Sequence, residues 1–219
     1  RAIEVYQKGL QQQPDNVDFY LYWGIALEQQ AQWLEAIALY ERAQEQVGTG
    51  AGLSVRKGIC LGQLDRWEEA LMHYAQAVEV DPDYSEAYLH WGIALQKLER
   101  WGEAIDKFNA AVRLQEDEPH MLFYLGSCYE QAARAQQNTD YFDRAVAAFK
   151  HLIALEPEDA FALNYLGYMF AEKGIHLQEA VELLLRAIEI DPNNSAFLDS
   201  LGWAYFRLGE FDQAEYYLE

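Results

Sequence analysis

Apolar side chains recur along this chain at steps of three and four residues, the period of a helix buried on one face. Tyr20, Trp23, Gly24 and Leu27 show the step. A short polar turn follows, then a second stretch of the same period, and the pair repeats. Gly24, Gly58, Gly92, Gly126, Gly167 and Gly202 hold one place in six successive first stretches. Ala36, Ala70, Ala104, Ala145, Ala180 and Ala214 hold one place early in the second stretches. Four residues beyond each Ala stand Tyr40, Tyr74, Phe108, Phe149, Leu184 and Leu218. A small residue follows at Ala43, Ala77, Ala111 and Ala187, with Leu152 as the exception. Trp33, Trp67 and Trp101 are spaced 34 residues apart, and Pro82, Pro157 and Pro192 close three of the pairs.

These spacings predict helix pairs. Glycine inside a helix costs about 1 kcal/mol against alanine, so its recurrence there points to a close neighbour. The Trp after each turn is placed to brace the two helices against each other; Phe142, Leu177 and Phe211 take that place later. Proline ends the second helix, because its ring and missing N–H cannot continue one. A single pair cannot bury its apolar faces, so about three or more units must stack.

Strings such as "YLYWGIALEQQAQWLEAIALYERA", "AYLHWGIALQKLERWGEAIDKFNAAV" and "FLDSLGWAYFRLGEFDQAEYYLE" resemble the tetratricopeptide repeat (TPR) family over essentially the whole chain. The resemblance implies an all-α fold, an α-solenoid in the form of a right-handed superhelix of stacked antiparallel helix pairs. First helices would line a concave face and second helices a convex one. The register gives one array over 1–219, with complete repeats at 17–50, 51–84, 85–118, 119–159 and 160–194. Residues 1–16 would be the second helix of an earlier repeat, with Tyr6 and Pro14 in phase, and 195–219 an interrupted sixth. Both ends fall inside a repeat and residue 1 is Arg, so a piece of a longer protein is expected. The later repeats are similar to those of bacterial TPR proteins.

Two units depart from the pattern. The fourth carries seven extra residues between Gly126 and Ala145, about two helical turns, so each of its helices should gain one turn around a tip at Asn138–Asp140. Either a tolerated surface insertion or a contact knob would follow. The fifth carries one extra residue near Gly174, which should adopt a left-handed C-cap.

Charge narrows the partners. The chain has 36 acidic and 16 basic residues, net −20, and every repeat from residue 17 onward is net acidic. Nucleic acid and anionic bilayers would be repelled, since both are bound through clustered Lys and Arg. No apolar run is long enough for a membrane span. The compartment stays open between cytoplasm and bacterial periplasm.

Candidate chemistry is sparse. No phosphate loop, G-x-S-x-G or H-E-x-x-H motif occurs. The five histidines show no metal-ligand spacing, so neither a metal nor a cofactor is expected. Cys60 and Cys128 share a repeat position occupied by Ala26, Ala94 and Ala204 in other units, which marks them as buried small residues.

Function is therefore sought on the first helices. In peptide-binding members of the family, contacts come from set positions of those helices. Carried over, these are Tyr22, Ile25, Arg56, Ile59, His90, Ile93, Phe123, Tyr124, Ser127, Phe161, Asn164, Tyr165, Tyr168, Asp199, Trp203 and Phe206. Some members clamp a C-terminal carboxylate with Lys at the fifth position and Asn at the sixth and ninth. Here the fifth position reads Leu21, Val55, Leu89, Phe123, Asn164, Asp199, and the ninth Ile25, Ile59, Ile93, Ser127, Tyr168, Trp203, so that clamp is absent. The expectation is a non-enzymatic scaffold binding a peptide, helix or disordered segment in an apolar, aromatic groove. Two alternatives remain: a regulatory or substrate-recruiting segment of a larger enzyme, and a self-association module through open repeat ends.

Overall fold

The computed structural model describes residues 2–218, residue 2 through its backbone alone. Residues 1 and 219, the ends of the expected array, lie outside the described residues. The described residues form thirteen α-helices and no strand. Along the sequence they divide into two compact units, the first ending at Glu116 and the second beginning at Asp117.

The first unit contains α1 (Ala2–Gln12), α2 (Val17–Glu28), α3 (Trp33–Val47), α4 (Ala51–Gln63), α5 (Trp67–Val80), α6 (Ser85–Lys97) and α7 (Trp101–Leu114). The second contains α8 (Pro119–Gln136), α9 (Thr139–Leu155), α10 (Ala160–Lys173), α11 (Leu177–Ile190), α12 (Ser195–Leu208) and α13 (Phe211–Leu218). Within each unit every helix packs on the next in sequence. First helices also touch one another, α2 with α4, α4 with α6, and α10 with α12. The architecture is all-α, built from stacked antiparallel helix pairs.

The recurring glycine seats a ring from the partner helix. A methyl group on Gly58 would stand 2.5 Å from Tyr74 Cε1, and one on Gly92 would stand 2.7 Å from Phe108 Cε1. The Gly24 position is closed in the same way by Tyr40. At Gly167 the neighbours are Leu184 Cγ at 2.7 Å and the Ala180 carbonyl oxygen at 3.0 Å. Tyr40, Phe108, Phe149 and Leu184 are completely buried. Each such side chain contributes about 1.5–3 kcal/mol of burial, which exceeds the helix cost of about 1 kcal/mol carried by the glycine. The early alanines of the second helices, Ala36, Ala70, Ala104, Ala145 and Ala180, are also fully buried. Trp67 is half-buried with its ring on Gly62, which is the bracing its place after the turn predicts.

Every turn between the two helices of a pair closes in the same way. Ala31, Asp65, Glu99, Gln137, Gly174 and Gly209 all have positive φ, and the next residue's N–H reaches back to the carbonyl five residues earlier. The bonds run from Gln32 to Leu27, Arg66 to Leu61, Arg100 to Leu95, Asn138 to Ala133, Ile175 to Phe170 and Glu210 to Tyr205. This is a Schellman closure. Gly174, at φ 71°, takes the left-handed C-cap conformation expected of it.

The seven-residue insertion lengthens both helices of the fourth pair. α8 has 18 residues against 12–14 in the other first helices, and α9 has 17 against 14–15 in α3, α5, α7 and α11. Gln137 and Asn138 form the tip, and Asn138 Oδ1 caps α9 by accepting from the Asp140 and Tyr141 N–H groups.

Cys60 and Cys128 are free and buried. Burial pushes both thiols up to about 12, and for Cys60 the Glu28 carboxylate adds to the shift. Only about one in 10,000 would be thiolate at pH 8. Modification by a thiol-reactive disulfide reagent should therefore proceed no faster than unfolding, with two thiols released at once in denaturant; fast native labelling would show that these sites open. The glycine seat has its own test. Gly167→Ala should destabilise by about 1–3 kcal/mol in thermal or chemical denaturation, because the methyl meets backbone and a fully buried Leu184. Gly102→Ala, with nothing within 4 Å, should instead stabilise by up to about 1 kcal/mol.

Candidate functional site

Helices α10 and α12 commit one stripe to the second helices and leave another outward. The outward stripe carries large apolar groups: Phe161 is 62% exposed, Tyr168 36%, Trp203 36% and Phe206 47%. Trp203 and Phe206 stack with ring centroids 5.4 Å apart, and Phe206 meets Phe211 edge-on at 5.8 Å. Asp199 is exposed on the same helix.

Beside this stripe α8, α10 and α12 enclose a cleft of about 390 Å³ lined by Glu130, Gln131, Arg134, Asn164, Tyr165, Tyr168, Ala196 and Ser200. Asn164 Oδ1 is buried and has no hydrogen-bond partner. The wall is charged. Glu130 is buried, and Arg134 Nη2 lies 3.2 Å from Glu130 Oε1 and 2.7 Å from Glu172 Oε2. Arg207 donates to the Glu172 backbone carbonyl at 2.7 Å. Burial raises the Glu130 carboxyl above its ordinary value, the Arg134 guanidinium pulls it back in part, and Glu172 pushes it up again. Arg134 stands in the turn that the insertion adds to α8, outside the repeat positions from which contacts were expected. The seven extra residues between Gly126 and Ala145 were the available signal for it.

A second cleft, about 530 Å³, opens where α8 and α10 begin. Glu118, Pro119, His120, Phe123, Tyr124, Glu156, Asp159 and Phe161 line it. Asp159 caps α10 by accepting from the Ala162 N–H at 2.9 Å, and His120 Nδ1 lies 2.8 Å from Glu118 Oε1.

The other expected residues divide between surface and core. Phe123 and Tyr165 line the clefts, yet both also pack on the buried Phe149, at 5.7 Å and 4.9 Å between centroids. Ser127 is buried, at 6% exposure, and offers no free surface. In the first unit Tyr22, Ile25 and Arg56 line a cleft of about 320 Å³ with Asp18, Leu21, Gly52, Tyr84 and Glu86. Arg56 pairs with Glu28 at 3.4 Å, and Glu28 also accepts from the Tyr40 hydroxyl. His90 stacks on Tyr74, and Ile59 and Ile93 are half-buried. Val55 and Leu89, at the fifth position of their repeats, are core residues. Among the described residues no group of three or more His, Cys, Asp or Glu is placed to hold a metal ion, and no helix is long and apolar enough to cross a membrane.

Comparison with known proteins gives this arrangement a family. A tetratricopeptide repeat model matches residues 1–51, 89–149 and 129–195, and further TPR models match 62–99 and 183–216. A TPR repeat-containing protein of Pseudomonas aeruginosa is 45% identical over 69 residues, 32% of this chain; the match spans only 12% of that relative's length. Among solved structures, PilF of Pseudomonas aeruginosa aligns with a TM-score of 0.77 at 15% identity, covering 91% of this chain and 87% of PilF. YrrB, described as a TPR protein with an unusual peptide-binding site, aligns at 0.66 and 22% identity, covering 90% and 97%. MamA of Desulfovibrio magneticus RS-1 aligns at 0.66 and 20% identity, covering 77% and 90%. At these identities the structural likeness is one of fold. The sequence matches extend over well more than half of the chain, and the protein belongs to the tetratricopeptide repeat family.

Proposed function

We propose that the chain is a non-catalytic protein–protein interaction scaffold that holds a peptide, helix or disordered segment against the first helices α8, α10 and α12. The observation that carries this reading is the run of exposed aromatic rings on α10 and α12: Phe161, Tyr168, Trp203 and Phe206. Large rings left in water along one face mark a contact surface, because Tyr, Trp and Phe supply much contact area for little lost freedom. The unpartnered Asn164 Oδ1 in the adjoining cleft adds an acceptor for a backbone or side-chain N–H. YrrB, similar in fold, is described as having a peptide-binding site, which supports the same use of a TPR surface.

The test compares the intact chain with Tyr168→Ala, Trp203→Ala and Phe206→Ala combined, both checked for unchanged helicity. Partners enriched from extract by the intact chain should bind the variant at least about tenfold more weakly, given roughly 1 kcal/mol or more per buried anchor. Identical partners at identical affinity would remove the groove from the account. A self-association reading rests instead on Phe211, Tyr216 and Leu218, exposed on α13 at 63%, 76% and 53%. Light scattering of the same samples separates the two: constant mass with concentration accords with the scaffold reading, and rising mass with self-association.

A further inference from the structure

We propose that the cleft at the start of α8 and α10 takes a cationic side chain, Arg or Lys, from the bound polypeptide. The proposal rests on the scaffold reading above and names the chemistry of its partner. The cleft, about 530 Å³, lies within the range of about 300–1,000 Å³ common for ligand sites. Its walls include three aromatic rings, Phe123, Tyr124 and Phe161, and its rim three carboxylates, Glu118, Glu156 and Asp159. No Lys or Arg is among the lining residues, and His120 is already set against Glu118. Aromatic faces and carboxylates together favour a cation whose apolar stem can lie on the rings while its charged head meets the acids.

The helix ends oppose this only weakly. α8 and α10 present N-termini, each worth about half a positive charge, and α9 presents a C-terminus of about half a negative charge. Arg186 adds one further positive charge by donating to the Pro157 carbonyl. Three carboxylates outweigh these contributions. Phe161 supplies the anchor next to the acids, since its ring is 62% exposed although it meets Phe197 at 5.5 Å. Charge complementarity also sorts the occupants. A second copy of this chain, with 36 acidic and 16 basic residues, is repelled, as are nucleic acid and anionic lipid. A basic segment carrying apolar or aromatic neighbours is the partner that fits both the rim and the exposed rings of α10 and α12.

The test pans a random dodecapeptide library on the intact chain at about 150 mM salt, where only close charge pairs survive screening. Selected peptides should be enriched in Arg or Lys beside apolar residues. Glu118→Gln, Glu156→Gln and Asp159→Asn together should weaken them about tenfold, at about twofold for each exposed pair. The Asn retains the cap on α10. A control with the same change in net charge, Glu182→Gln, Glu189→Gln and Asp191→Asn on and just after α11, should alter binding less than about twofold. Equal weakening by both sets would reduce the effect to overall acidity and overturn the proposal. Peptides that need Tyr168, Trp203 and Phe206 but contain no basic residue would overturn it too, while leaving the scaffold reading intact. A selection with no peptide dependent on those rings would remove the scaffold reading, and this proposal with it.

Discussion

The contact between a first-helix glycine and a second-helix ring or Leu is the constraint on which the rest depends. Gly58 under Tyr74, Gly92 under Phe108 and Gly167 under Leu184 leave no room for a methyl group. That closeness fixes the rotation of each first helix about its axis, because only one residue in each can sit beneath the partner side chain. Once the rotation is fixed, the stripe that remains outward is fixed as well. In α10 and α12 that stripe contains Phe161, Tyr168, Trp203 and Phe206. Packing and exposure are thus two consequences of one spacing.

Much of this was legible in the sequence, because glycine, alanine, aromatic and proline positions recur with little drift. The helix pairs, the bracing Trp67, the lengthened fourth pair and the cap at Gly174 all follow from spacing alone. The common closure of the turns did not. Ala31, Asp65, Glu99 and Gln137 hold left-handed conformations without the glycine that usually signals them. The cost of about 1 kcal/mol at each is outweighed by the packing on either side. Exposure within the expected groove was only partly legible. Ser127 and Tyr168 occupy the same place in their repeats, yet one is buried and the other exposed. A serine is short enough to stay within the packing, whereas the longer tyrosine ring reaches the surface.

The charged parts of the site were the least legible. Glu118 directly precedes α8, whereas Glu156 and Asp159 share the loop before α10, up to 41 residues further along the chain, and only the return of α9 brings them to one cleft. Arg134 became visible as a groove residue only once the added turn of α8 placed it between Glu130 and Glu172. The net charge of −20 is spread along the chain and by itself singles out no place on it. The local arrangement of acids and rings is the observation on which the proposed cation site rests.

The most direct measurement of the central constraint is a double-mutant cycle between Gly92→Ala and Phe108→Ala, followed by chemical denaturation. Phe108 is fully buried over Gly92, so removing its ring opens the space that the new methyl needs. The account predicts that Gly92→Ala is destabilising with Phe108 present and neutral or stabilising without it, a coupling of about 1 kcal/mol or more. Additive effects, within about 0.5 kcal/mol, would contradict it and show that the glycine is not there to seat the ring.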